Sequence, residues 1–292
     1  MCGIFGIAST KSIRNKLYQG LIKLEYRGYD SSGISGSDIS SKLTTIKATG
    51  PIKNLKTKLR LLTRITTGIA HTRWATHGEA ILKNTHPHLS ENISIVHNGI
   101  IENYIELKSL LKKKGYTFKS DTDSEVISHL IHMNYKKTRN MESSIISTTK
   151  MLKGSYAIGC INTNYANTIF AACKGSPLII GKGLNENFIA SDIMPILSDT
   201  KHYIPLDDDE FAKITPSKIS IFNAHKKTIS KKIKTSKINT QQASLSGHKH
   251  FMHKEIYEQK SILKEMTSRY VGTNKILPNI FGPGTDKILE NI

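Results

Sequence analysis

An α+β fold, in which antiparallel sheets are layered with helices, is what this sequence predicts. Three observations carry that expectation. Before Ser155 several segments repeat apolar residues at helical spacing. From Ser155 onward the pattern changes to period two and short apolar runs. The two kinds of segment do not alternate as the units of a parallel sheet would, which leaves antiparallel layers.

In chain order, the first eight residues, Met1 to Ala8, are apolar and β-compatible, as a strand buried on both faces requires. Ser12 to Arg27 carries Ile13, Leu17, Leu21 and Leu24 on one helical face, closed by Gly28. Thr66–Trp74 and Ile93–His97 read as strands. Asn103–Lys114 reads as a helix with Leu107, Leu110 and Leu111 inward and Gly115 as its stop. Thr122 and Glu125 have the spacing of a capping box for a helix running to about Tyr135. Asn140–Lys153 is a further helix, ended by Gly154. Strands are then expected at Tyr156–Ile161, Thr168–Ala172, Pro177–Ile180, Phe188–Ala190, Glu210–Ile214 and Lys218–Phe222, with Gly- and Asn-bearing turns between them. Lys226–Gly247 is polar and basic and reads as a linker. His250–Thr267 is helical again.

Composition narrows the function classes. The 292 residues hold enough apolar side chains, 38%, for a sizeable core. No run approaches the ~20 apolar residues that a membrane helix needs. No basic stretch precedes the apolar N-terminus, as a secretory signal would have. Three cysteines are too few and too unpatterned for a disulfide framework, so the expected compartment is a reducing cytoplasm. A net charge of +19 invites a nucleic-acid reading, yet the basic residues are 35 Lys against only 7 Arg, spread along the whole chain. Base readers lean on Arg beside aromatic residues. The densest basic stretch, Lys226 to Lys237, has no aromatic residue and reads as solvated chain.

Chemistry gathers in the first half. If Met1 is removed, Cys2 holds both a thiol and a free α-amine. An amine of pKa about 7.7–8.0 is partly free base near neutrality and can accept a thiol proton, through a bridging water because direct transfer would strain a five-membered ring. Cys2 alone is weak, since a small second residue also simply permits Met removal. Asn98-Gly99 offers a side-chain amide and an unshielded backbone N–H, a pair able to hold an oxyanion at about 3–4 kcal/mol per donor. The competing role is a tight hairpin turn, the commonest use of Asn-Gly. Arg73 has a fork for a carboxylate. Asp123 either pairs with an ammonium or complements a helix dipole. Together Arg73 and Asp123 would suit an α-amino acid. His71, His77, His86, His88 and His97 lack the spacing of a familiar metal site.

The motifs Cys2-Gly3-Ile4, Leu24 to Ser31, His71 to Gly78, Thr85-His86-Pro87-His88, His97 to Asn103 and Asp121 to Glu125 occur in that order. In this the chain resembles the class II glutamine amidotransferases, and within them the glutaminase domain of the glutamine–fructose-6-phosphate aminotransferase (isomerizing) family. His250 to Gln259 resembles that family's junction to its sugar-isomerase half and sets it apart from the other class II enzymes. The resemblance implies an N-terminal-nucleophile αββα sandwich. It implies Cys2 as nucleophile, its own amine as base, and Asn98 with Gly99 as oxyanion hole. Arg73, Thr76, His77 and Asp123 would bind L-glutamine, and Trp74 would gate an ammonia path. Arg27 and His86 match positions near the site. No cofactor and no metal are implied. A glutaminase domain over residues 2–225, a basic linker over 226–249 and the start of a junction over 250–292 follow from the same comparison.

The departure lies at the C-terminal side, where the isomerase half is missing. A truncated product, one half of a split enzyme and a fragment are the alternatives left open; in the second a separate sugar-isomerase chain is the partner, and neither nucleic acid nor membrane is expected in any. The other readings left open are a different amidotransferase of the same class, an inactive or regulatory remnant that only binds an isomerase, and a basic nucleic-acid module.

Overall fold

The computed structural model describes residues 2–38, 40–75, 78–238, 247–249 and 251–271, the side chains of Phe251, Arg269 and Tyr270 excepted. The chain divides into two units, Met1–Lys237 and Ile238–Ile292.

The first unit begins with β1 (Gly3–Ser9), α1 (Arg14–Ile22), β2 (Ser31–Ser37), β3 (Leu43–Thr49), β4 (Thr67–Arg73), β5 (His88–Ser90) and β6 (Ile93–Ile101). Three helices follow: α2 (Tyr104–Lys113), α3 (Glu125–Thr138) and α4 (Met141–Thr149). The strands β7 (Gly154–Asn162), β8 (Ile169–Lys174), β9 (Ile179–Lys182), β10 (Glu186–Ala190), β11 (His202–Pro205) and β12 (Glu210–Ile214) come next. Then come β13 (Ile219–Phe222), β14 (Thr228–Ile229) and β15 (Lys234–Thr235). They form an eight-stranded sheet in the order β15-β11-β9-β10-β1-β4-β2-β3 and a seven-stranded sheet in the order β14-β13-β12-β8-β7-β6-β5. Every named strand pair is antiparallel.

The layering follows from side-chain alternation. On β1, Phe5 and Ile7 point to one side and pack with Leu17, Leu21 and Leu24 of the α1 region. Ile4 and Ala8 point to the other and pack with Val96 of β6 and Ile161 of β7 in the second sheet. The far face of that sheet buries Ile93, Ile95, Tyr156 and Ile158 against Leu111, Val126, Leu130 and Ile145 of α2, α3 and α4. Helix, sheet, sheet, helix is the resulting stack. Each fully buried Leu or Ile contributes about 1.5–3 kcal/mol relative to exposure.

Local outcomes differ from expectation where tertiary pairing overrides the sequence signal. Asn98-Gly99 is not a turn: it lies inside β6, paired with Ala157 and Tyr156 of β7. The expected capping box does not form either. Helix α3 starts after Ser124, and the Glu125 carboxylate accepts from Lys119 N–H, Ser120 N–H and Ser120 Oγ, tying down the preceding loop. Thr122 Oγ1 instead meets His88 Nε2 at 3.1 Å. The helix expected from Asn140 does form, and the Asn140 side chain caps it by accepting from Ser143 N–H. Within the basic stretch, β14 and β15 extend the sheet edges, and Lys231 pairs with Asp207 and Glu210.

In the second unit α5 (Phe251–Tyr270) is the described helix. Among the described residues no helix is long and apolar enough to cross a membrane. His250 and residues 272–292 of the expected junction lie outside the described residues.

Candidate active site

Cys2 precedes β1, whose Gly3 pairs with Thr72 of β4. That pairing brings the thiol to the end of β4, where Trp74 N–H donates to Cys2 Sγ at 3.3 Å and Sγ lies 3.5 Å from Trp74 O. The Cys2 carbonyl accepts from Asn98 Nδ2 at 3.0 Å and from Arg27 Nε at 3.4 Å. The side chain of Arg27 is fixed in turn by Asp192, at 2.8 Å. Burial pushes the Cys2 thiol above its ordinary pKa, opposed by the Trp74 backbone bond and by the Arg73 charge. A thiol in that state needs a base before it can attack.

Gly99 follows Asn98 with φ +130. A Cβ there would sit 2.1 Å from Ser155 O, so only glycine lets β6 pass β7 this closely. Gly28 serves the opposite end of the site: a Cβ would sit 2.7 Å from the Arg73 backbone carbon.

Arg73 is buried, and its Nη2 and Nη1 donate to Gly78 O at 2.9 Å and Glu79 O at 3.0 Å. The segment after it is held from the other side, where Asp30 Oδ2 accepts from Ala75 N–H at 2.8 Å. Asp123 is also buried, accepting from Ile101 N–H at 2.8 Å and Ser124 Oγ at 3.3 Å. Ser124 Oγ lies 2.8 Å from His97 Nδ1. The Trp74 side chain is 44% exposed and tilts against Tyr29, so it stands at the mouth of the site rather than in its floor. Thr76 and His77 lie outside the described residues.

A cavity of about 30 Å³ joins these groups, lined among the described residues by Cys2, Arg73, Trp74, Gly99, Asp123 and their neighbours. It is room for about one water molecule. A much larger groove of about 850 Å³ runs between Lys182 and Ile233, but it shares no residue with the Cys2 cavity and holds neither cysteine nor histidine. The sequence-expected candidates for chemistry gather at the small cavity.

Beneath it His71, His86, His88 and His97 are all buried. The rings of His71 and His86 lie 4.1 Å apart, and those of His86 and His88 4.5 Å. Burial holds all four neutral near pH 7, with His71 and His88 pushed down to about 3. Among the described residues no group of three His, Cys, Asp or Glu side chains is arranged to hold a metal ion.

The structure thus brings Cys2, Arg73, Trp74, Asn98, Gly99 and Asp123 together from four separate segments. Sequence reasoning passed over Asp30, Ser124 and the orientation of His71. Asp30 and Ser124 sat inside the quoted motifs, and only their spatial partners reveal what they hold.

Comparison with known proteins agrees with this geometry. Residues 71–198 match the family described as the glutamine amidotransferase domain. The chain is 42% identical to the glutamine–fructose-6-phosphate aminotransferase [isomerizing] of Buchnera aphidicola subsp. Acyrthosiphon pisum, over 100% of this chain and 48% of that protein. It is 43% identical to the enzyme of the same name from Buchnera aphidicola subsp. Baizongia pistaciae, over 94% of this chain and 46% of the relative. The chain therefore spans about half the length of these relatives. In structure it is similar to the glutamine phosphoribosylpyrophosphate amidotransferase of B. subtilis, with TM-score 0.65 and 27% identity over 76% of this chain and 49% of that one. The expected N-terminal-nucleophile fold of antiparallel sheets between helices is therefore the observed one. The chain belongs to the class II glutamine amidotransferases, as a homologue of the N-terminal half of the isomerizing glutamine–fructose-6-phosphate aminotransferases.

Proposed function

We propose that this chain hydrolyses L-glutamine to glutamate and ammonia through a γ-glutamyl thioester on Cys2. Met1 is removed first, freeing the Cys2 amine. The amine takes the thiol proton through a water, and the thiolate sulfur attacks the side-chain amide carbon of glutamine. The carbonyl oxygen becomes an oxyanion held by Asn98 Nδ2 and Gly99 N–H. One Asn98 Nδ2 hydrogen is engaged by the Cys2 carbonyl, which leaves the second for the oxyanion. The C–N bond then breaks, the protonated amine gives its proton to the departing nitrogen, and ammonia leaves. Water, deprotonated by the same amine, attacks the thioester carbonyl, and glutamate is released as the thiol is restored.

Arg73 receives the α-carboxylate and Asp123 the α-ammonium, with Thr76 and His77 completing the pocket and Trp74 closing it. The observation that carries the reading is the Asn98 side-chain amide bonded at 3.0 Å to the carbonyl of Cys2 itself. The proposed glutaminase domain covers the expected span 2–225 and, with the edge strands β14 and β15, runs on to Lys237, the remainder leading toward a sugar-isomerase half on a separate or continuing chain. Ammonia from this site would serve amination of fructose 6-phosphate, the acceptor that the relatives' names give, with glucosamine 6-phosphate as the proposed product. Replacing Cys2 with Ala tests the reading. Glutamate release should fall by about a thousandfold or more, as removal of a nucleophile does, with the fold intact by circular dichroism. Retained release would refute it.

A further inference from the structure

We infer that His71 is a positioning residue for the oxyanion hole, because its Nε2–H locks the Asn98 amide in the orientation that turns Nδ2 toward Cys2. The inference rests on the proposed role of Asn98 and extends it to a residue that touches neither thiol nor substrate.

The argument is one of donor and acceptor counting. His71 Nε2 lies 3.0 Å from His97 O and 3.0 Å from Asn98 Oδ1. A backbone carbonyl only accepts, so Nε2 must carry the proton. Burial keeps the ring neutral, so Nδ1 is then bare, and it has no hydrogen-bond partner. A single N–H shared by two oxygens requires the oxygen end of the Asn98 amide to face His71, because its NH₂ end would meet another donor. At the other end of that amide, Nδ2 donates to Cys2 O at 3.0 Å, and that carbonyl likewise can only accept. Both ends demand the same orientation.

The ring cannot turn away. His71 is 1% exposed, and its strand is paired on both sides, with Ile4 of β1 and Gly33 of β2. His86 packs tilted against it, with ring centroids 4.1 Å apart, and is itself backed by His88. Without the His71 donor, the Asn98 amide has only the Cys2 carbonyl left to distinguish its two ends and is held less firmly in the productive orientation. Rotated by half a turn, it would present a carbonyl oxygen to the developing negative charge.

Steady-state kinetics of full-length variants test this. Loss of an oxyanion donor costs about 10²–10³-fold in kcat. His71→Leu should therefore lower kcat by about 10–100-fold, with KM for glutamine unchanged within about twofold. His71→Gln, whose amide nitrogen reaches nearly the position of Nε2, should recover most of that loss. Alkylation of Cys2 by iodoacetamide, which forms no oxyanion on a carbonyl, should proceed at the wild-type rate in both. In an Asn98→Ala background His71→Leu should cost little further, because His71 acts through the side chain already removed.

Full kcat in His71→Leu would overturn the inference. So would equal losses in the two Asn98 backgrounds, or a parallel fall in the alkylation rate. Release of glutamate by Cys2→Ala would instead overturn the reading of the site itself, and this inference with it.

Discussion

Arg73 spends two guanidinium nitrogens on the carbonyls of Gly78 and Glu79 while it faces the cavity beside Cys2. On the proposed reading it shapes the loop that would cover a bound amino acid and would also supply the charge for its carboxylate. A lysine has one ammonium point charge and cannot span both carbonyls and a carboxylate. Arg73→Lys should raise KM for glutamine by about tenfold or more and change kcat less, as loss of uniform binding does. Steady-state assays with glutamate readout check this, and an unchanged KM would contradict it. Cys2, Arg73, Asn98 and Asp123 stood out in the sequence through the ordered motifs that resemble the class II amidotransferases; taken singly, Cys2 is weak and Asn98-Gly99 reads first as a turn. The role of His71 was not legible, because a histidine's tautomer depends on what its two nitrogens meet, and here the partners lie 26 and 27 residues away.

At the scale of elements, β6 is the strand that carries the proposed oxyanion hole, Asn98 and Gly99. It runs straight through Asn98-Gly99 because β7 pairs with it from Ile93 to Ile101. Gly99→Ala would drive a Cβ into Ser155 O and impose a left-handed φ on a side-chain-bearing residue. The variant should lose at least about 2 kcal/mol of stability, read as a fall in the urea midpoint, and should lose glutaminase activity with it. Wild-type stability would show that the two strands can separate freely. Asn-Gly read as a turn from sequence because local propensity knows nothing of a nine-residue ladder. Strand β2 escaped for a related reason. Its Ser-Ser-Gly-Ile-Ser-Gly-Ser run has no apolar alternation, yet all of it is buried between β3 and β4. Small residues fit there because neighbouring backbones approach closely. The apolar spacing of α1 and the continuous apolar run of β1 were legible because each of these elements buries strongly apolar side chains.

For the molecule as a whole, the buried histidines set the response to acid. His71 and His88 bind protons only near pH 3 when folded, against about 6.5 when unfolded. The unfolded chain therefore binds more protons throughout that window. Stability is fully present above about pH 6.5 and falls as the pH drops, by up to about 1.4 kcal/mol per pH unit for each group. Glu125 acts in the same direction at lower pH. Burial pushes its carboxyl up, but His129, Lys119 and Ser120 bonds outweigh that and hold it at about 2, so its contribution is lost from about 4.5 downward. Urea midpoints should be nearly flat between pH 7 and 8 and drop steeply between pH 6.5 and 5; a flat profile down to pH 5 would contradict the burial of these rings.

Both sheets and every described site residue belong to the unit Met1–Lys237. A chain ending at Lys237 should keep the melting temperature of that unit within a few degrees and keep its glutaminase rate, by calorimetry and by assay.

The most direct test is the intact mass of the chain quenched during turnover of glutamine, followed by mapping of the modified peptide. The account predicts a chain without Met1 that carries a γ-glutamyl group on Cys2, and no such group on the Cys2→Ala variant. Full turnover by a chain that still carries Met1, or an adduct on any other residue, would contradict it.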